Sequence, residues 1–98
     1  MSFNLEFHPL ALAEWRKLDG TVASQFKKKL AQRLVEPRVP SAAVSGAPDL
    51  YKIKLRTVGF RLVYKVQNQR LTVLVLSVGK RERNLAYEAA LHRLTSPQ

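Results

Sequence analysis

From Leu50 to Arg56 the chain alternates without a break: Tyr51, Ile53 and Leu55 against Lys52, Lys54 and Arg56. Period two is the side-chain period of a β-strand, and wound as a helix the same residues would scatter both sets around the axis. The segment therefore reads as a strand with one apolar and one cationic face. Thr57-Val58-Gly59 is a short hairpin connection in which Gly59 is free to take positive φ. Phe60 to Val66 repeats the device, with Phe60, Leu62 and Tyr64 on one face and Arg61, Val63 and Lys65 on the other. After the polar turn Gln67-Asn68-Gln69, Leu71 to Val78 is apolar on both faces, which predicts a central strand that ends at Gly79. Three strands joined this way form an antiparallel meander.

Charge is concentrated where this pattern lies. Tyr51 to Arg83 holds nine of the seventeen Lys and Arg residues and one of the seven acids, in a chain of formal net charge +10. Such clustering predicts attraction to polyanions, with nucleic acid or the ribosome first and an anionic membrane second.

The remaining segments supply the cover. Ser2 to Phe7 alternates Phe3, Leu5 and Phe7 against polar residues, a half-buried strand. Pro9 to Leu18 is a short helix with Trp15 as a core anchor, and Asp19-Gly20-Thr21 is a break in which Asp19 or Thr21 caps the next helix. Thr21 to Val35 carries Val22, Phe26, Leu30 and Leu34 on one stripe, with Lys27, Lys28, Lys29 and Arg33 mostly on the solvated side. The proline-rich stretch 37–48 is a loop, Asn84 to Leu94 a closing helix with Leu85, Ala89 or Ala90, and Leu94 on its stripe, and Thr95 to Gln98 a fraying tail. The order β-α-α-β-β-β-α predicts a single α+β domain over residues 1–98. It has a mainly antiparallel four-stranded sheet, a helical hairpin on one face and a C-terminal helix. The opposite face is expected to be open and cationic.

Several classes of function are excluded or disfavoured. The chain has no cysteine, which removes disulfides and thiolate metal sites, and His8 and His92 stand near opposite ends as surface or capping residues. No cofactor or metal is implied. The N-terminus lacks the features of a signal peptide, and the apolar run Leu71 to Val78 is too short for a bilayer. A soluble cytoplasmic protein with no membrane partner is the expectation.

The basic rows suggest chemistry as well as binding. Lys52 and Lys54 lie roughly 6.6 Å apart on one strand face, near the spacing of successive phosphates on a single nucleic acid strand. Arg61 can face the same side, and Arg81 can reach the same rim. RNA contains its own nucleophile, the 2′-OH. Cleavage then needs alignment, removal of the 2′ proton, stabilisation of the phosphorane and protonation of the 5′ oxygen. No His or acid stands among the rows, Glu82 being the nearest acid, so a lysine has to do the base work. Crowding by cations lowers a lysine pKa, and Lys54 is the most crowded. From the residues alone, plain RNA binding stands ahead of catalysis.

PDLYKIKLR, GFRLVYKV and SVGKRERNLAYE, preceded by ALAEWRKLDGTV and KKKL, make the chain resemble the RelE-type ribosome-dependent mRNA interferases over nearly its whole length. These are toxins of bacterial type II toxin–antitoxin systems. The resemblance implies cleavage of mRNA in the A site of the 30S subunit without metal, leaving a 2′,3′-cyclic phosphate and a 5′-OH. It implies Lys54 as general base, and Arg81 as the group that protonates or stabilises the 5′ oxygen. Lys52 and Arg61 would hold the scissile phosphate, and Tyr87 would stack on a codon base. Lys80 and Arg83 are implied as secondary RNA contacts, and Arg56 extends the basic row beside them. Its implied partners are a RelB-like antitoxin and, through the antitoxin complex only, operator DNA. Where family members can carry a basic residue before the loop glycine, Ser45 precedes Gly46 here, and Phe60 replaces another aromatic. Two alternatives remain at this point: a non-catalytic RNA- or ribosome-binding protein, and a toxin of the same fold acting on DNA gyrase.

Overall fold

The computed structural model describes residues 2–95. The elements follow the expected order: β1 (Asn4–Phe7), α1 (Pro9–Arg16), α2 (Gly20–Val35), β2 (Leu50–Leu55), β3 (Phe60–Gln67), β4 (Thr72–Lys80) and α3 (Leu85–Thr95), with a 3-10 turn at Pro40–Ala42. Of the tail expected from Thr95 to Gln98, Thr95 closes α3 and the rest lies outside the described residues. The sheet runs β1-β4-β3-β2, so the doubly apolar strand is central as its sequence predicts. β2, β3 and β4 form the antiparallel meander, and β1 joins β4 in parallel.

Two clusters cover the two faces. On one, Ala11, Val22, Phe26 and Leu30 of α1 and α2 pack on Ile53, Leu55, Leu62, Tyr64, Val66, Val73, Val75 and Val78. Trp15 anchors this layer, its ring 5.4 Å from Phe7 and 6.2 Å from Phe26. Asp19 caps α2 by accepting from the Val22 N–H at 2.9 Å. His8 is buried and caps α1, its Nδ1 accepting from the Leu10 N–H at 3.1 Å.

The other face departs from expectation. It is not open: Ala86 and Ala90 of α3 lie on Leu50, Val63, Leu74 and Leu76. Two alanines on one stripe let the helix sit close to the sheet, whereas Leu85 is 53% exposed and does not belong to the buried stripe. The cationic surface is therefore confined to the end of the sheet that α3 leaves uncovered. A bulge aids this packing: Tyr64 pairs with Val75 but Val63 pairs with Ser77, so β4 carries an extra residue there. Ser77 then faces α3 and its hydroxyl donates to the Ala86 carbonyl at 2.6 Å.

Boundaries shift for local reasons. β4 continues through Gly79 to Lys80, because Phe60 and Arg61 still pair with those residues. Leu71 drops into the preceding turn with φ 48°. β2 stops at Leu55, leaving Arg56 in the turn that Gly59 closes at φ 71°. Arg33 is half-buried, not solvated, and points at the sheet. Among the described residues no helix is long and apolar enough to cross a membrane.

Candidate active site

The core of the site is a row across three strands. Lys54 on β2 is the cross-strand partner of Arg61 on β3, and Arg61 stands opposite Gly79 on β4. Facing partners on one side of a sheet are about 4.5–5.5 Å apart at Cβ, so the two cations emerge together. Gly79 leaves the third place of the row empty of side chain, and a Cβ there would meet nothing within 4 Å. Beyond β4 the chain is tied back to the β2–β3 turn, the Arg81 N–H donating to the Gly59 carbonyl at 2.7 Å. That bond brings Arg81 beside the row. Lys54, Arg56, Phe60, Arg61 and Arg81, with Leu55, line a cavity of about 90 Å³.

Its electrostatics are one-sided. The Lys54 amine is held below the ordinary lysine value, chiefly by the charge of Lys52, then by partial loss of solvent and by Arg61, Arg56 and Arg81. This is the crowding the sequence predicts, in the direction a base requires. Arg61 presents a buried Nε with no hydrogen-bond partner among the described residues. A buried donor left unpaired costs about 1–3 kcal/mol, which an anionic oxygen in the cavity would relieve.

A second hollow adjoins the first. It measures about 500 Å³ and is lined by Lys52, Ser45, Asn84, Tyr87, Glu88 and Leu91, with Ala43 and Val44. Tyr87 stands between the two hollows, the Arg61 guanidinium lying 4.9 Å from its ring centroid. The loop wall depends on Gly46, whose φ of 108° suits glycine and whose Cβ, were one added, would fall 3.1 Å from Leu91 Cδ2.

Lys52, Lys54, Arg56, Arg61, Arg81 and Tyr87 are thus brought to two adjoining hollows. Lys80 and Arg83 are not. Lys80 pairs with Phe60, one step from the Arg61–Gly79 pair, and its side chain leaves from the opposite face. It lines a separate hollow with Glu14 and Glu82, so Glu82 also stands apart from Lys54. Arg83 is exposed at φ 45° and, with Asn84 at φ 62°, turns the chain into α3.

Sequence reasoning missed two features. Asn84, at the entry to α3, lines the larger hollow with Glu88 and Leu91 of that helix, and their i, i+4, i+7 spacing in the expected helix was the available signal. Arg33 reaches through from α2, its Nη1 donating to the Lys52 carbonyl at 3.0 Å and to Tyr64 Oη at 2.9 Å. Nothing in the lysine-rich run around it marks Arg33 as different.

Known proteins resemble this chain over nearly its whole length. The sequence profile of the ParE toxin of type II toxin–antitoxin system, parDE, matches residues 5–85. The mRNA interferase toxin RelE of Escherichia coli K12 is 50% identical over 94 residues, 96% of this chain and 99% of that protein. A double-arginine mutant of E. coli RelE in the free state superposes with a TM-score of 0.88 at 48% identity, over 96% of this chain and 99% of that one. The toxin in the intact E. coli RelBE toxin–antitoxin complex does so at 0.81 and 51% identity, over 84% and 100%. The chain belongs to the RelE branch of the RelE/ParE family of type II toxin–antitoxin toxins.

Proposed function

We propose that this protein, residues 1–98 as one toxin domain, is an endoribonuclease that cleaves mRNA in the ribosomal A site and so stops translation. The observation that carries the reading is the row Lys54–Arg61 with Arg81 beside it around one small cavity. Lys54, neutral at the moment of reaction, takes the proton of the 2′-OH. The 2′ oxygen bonds to phosphorus while Arg61 and Lys52 hold the added negative charge of the phosphorane. The bond from phosphorus to the 5′ oxygen then breaks against Arg81, which protonates that oxygen or holds its charge until water does. The products are a 2′,3′-cyclic phosphate and a 5′-OH. Side-chain cations supply the charge, so the step is written without a metal. Tyr87 stacks on a codon base, Arg56 adds an RNA contact at the edge of the cavity, and Lys80 and Arg83, which stand outside both hollows, are left to RNA running beyond the site.

An all-cation site is a weak catalyst of free RNA, but orientation of the mRNA by the 30S A site can supply several kcal/mol. The toxin accordingly works where ribosomes translate, in the bacterial cytoplasm. It is neutralised by a cognate RelB-like antitoxin, an acidic or amphipathic segment that shields the cations. Operator DNA is reached only through that complex.

Toeprinting on translating ribosomes tests the reading. Wild type should produce A-site cuts, Arg81→Ala should lose them, and free RNA should be cut poorly. Retained cutting by a Lys54→Ala, Arg81→Ala double variant overturns the catalytic assignment in favour of plain binding.

A further inference from the structure

The larger hollow, about 500 Å³, is built unevenly. It is lined by half-buried Lys52, one phosphate step along β2 from Lys54, and by half-buried Tyr87, whose ring lies against Arg61. Its outer rim carries Glu88, the one acid among the residues lining either hollow. An acid beside so many cations works against phosphate binding, so Glu88 is not there to hold the backbone. Carboxylates accept hydrogen bonds only, and nucleobases differ in what they donate. Cytosine, adenine and guanine each present an exocyclic amine. Uracil presents a single N–H flanked by two carbonyl oxygens, whose lone pairs face a carboxylate unfavourably. Single-stranded RNA is read in this way, by stacking on an aromatic ring and hydrogen bonding at the base edge.

We propose that Glu88, with the Asn84 amide at the entry to α3 lining the same hollow, reads the edge of the base stacked on Tyr87 and favours amine-bearing bases over uracil. The inference rests on the reading of the protein as an mRNA-cleaving toxin and assigns to Glu88 the role of a specificity residue. The side chain touches the base, not the reacting phosphate. Glu88 also stands in the first turn of α3, where a negative charge steadies a helix. That role alone would alter cleavage at every codon equally.

The test is a set of ribosome complexes whose mRNAs differ by one base at a time within the A-site codon, with cleavage rates read by toeprinting. At the position seated on Tyr87, wild type should cut amine-bearing bases about 5- to 20-fold faster than uracil, the size of one edge contact at an exposed site. Glu88→Gln keeps shape and helix but adds an amide donor, and should reduce that ratio to about twofold or invert it. A Glu88→Gln protein that cleaves with the wild-type base profile overturns the inference alone. A wild type that cuts no ribosome-bound mRNA overturns the enzymatic reading and this inference with it.

Discussion

The Arg61 guanidinium carbon lies 4.9 Å from the centroid of the Tyr87 ring, joining β3 to the first turn of α3 where the two hollows meet. Each side chain limits the other's freedom, so the ring that would carry a base and the cation that would hold the phosphate move as a pair. Tyr87→Phe keeps the ring face and should cleave ribosome-bound mRNA within a few-fold of wild type. Tyr87→Ala removes both the stacking platform and the partner of Arg61, and base–aromatic stacking is worth about 1–3 kcal/mol. Cleavage should fall roughly 5- to 150-fold by the same principle. A Phe variant as impaired as the Ala variant would move the role from the ring to the hydroxyl.

Lys54 offers a test through pH. A base must be neutral to accept the 2′ proton, so the single-turnover rate should rise with pH and level off at the pKa of Lys54 in the site. The neighbours hold that value below the ordinary 10.5, with the Lys52 charge first among the causes. Replacing Lys52 by Gln removes the largest contribution and should carry the rising limb toward higher pH. Arg56→Gln should move it in the same direction by less. A limb that ignores the charge at position 52 would deny Lys54 the base role.

Much of this site could be read in advance because its parts sit on strands. Alternation fixes which side chains share a face, and so Lys52, Lys54 and Arg61 could be grouped from spacing alone. Arg81 could be placed at the rim, though not the Gly59 carbonyl that holds it there. What escaped depends on closeness between elements. Two alanines on α3 look unremarkable in sequence, yet their small size is what lets the helix cover part of the face expected to be open. The bulge at Ser77 has no sequence mark, and it decides that Gly79 faces Arg61 while Lys80 faces away. Arg33 escaped because one of several cations along α2 turns inward, and helical phase alone does not say how far a long side chain reaches.

That inward turn sets a stability expectation. Tyr64 is fully buried; its hydroxyl donates to the Pro37 carbonyl at 2.6 Å and accepts from Arg33 at 2.9 Å, and burial pushes its pKa up. Tyr64→Phe strands a buried carbonyl and should cost about 1–3 kcal/mol in denaturant unfolding. Arg33→Met leaves the hydroxyl its carbonyl partner, so it should cost less, about 0.5–1.5 kcal/mol, the usual net worth of a hydrogen bond. Because Arg33 also holds the Lys52 carbonyl at the edge of the sheet, the Met variant should lose some mRNA cleavage that the Phe variant keeps. Equal activity in the two would confine Arg33 to a structural role.

Acid should loosen the fold at one identifiable place. β1 pairs with β4 only as far as Val75, and beyond it side chains replace the missing strand. Glu14 Oε1 accepts from the Val78 N–H at 3.0 Å, while Arg93 donates to the Leu76 carbonyl at 2.7 Å and to both Glu14 oxygens at 2.8 and 2.9 Å. Burial pushes the Glu14 carboxyl up, but the Arg93 and Val78 hydrogen bonds and the nearby positive charges outweigh it, leaving the pKa lowered. His8, close by, is also lowered, first by burial and then by Arg93, against a smaller opposing pull from Glu14. In both cases the unfolded chain binds a proton more readily, so stability rises with pH across the gap between the folded and unfolded values. The His8 contribution should therefore fade as pH drops below 6.5, and the Glu14 contribution as it drops below 4.5 toward its lower folded value. Thermal melts should show two successive losses on acidification. His8→Asn, which keeps a capping acceptor for the Leu10 N–H but cannot take up the proton, should remove the first. Arg93→Met should remove much of the second and cost about 1–3 kcal/mol at neutral pH, because it leaves the Leu76 carbonyl and Glu14 without their donor. A His8→Asn protein that loses stability between pH 6.5 and 5 as steeply as wild type would place the acid-sensitive group elsewhere.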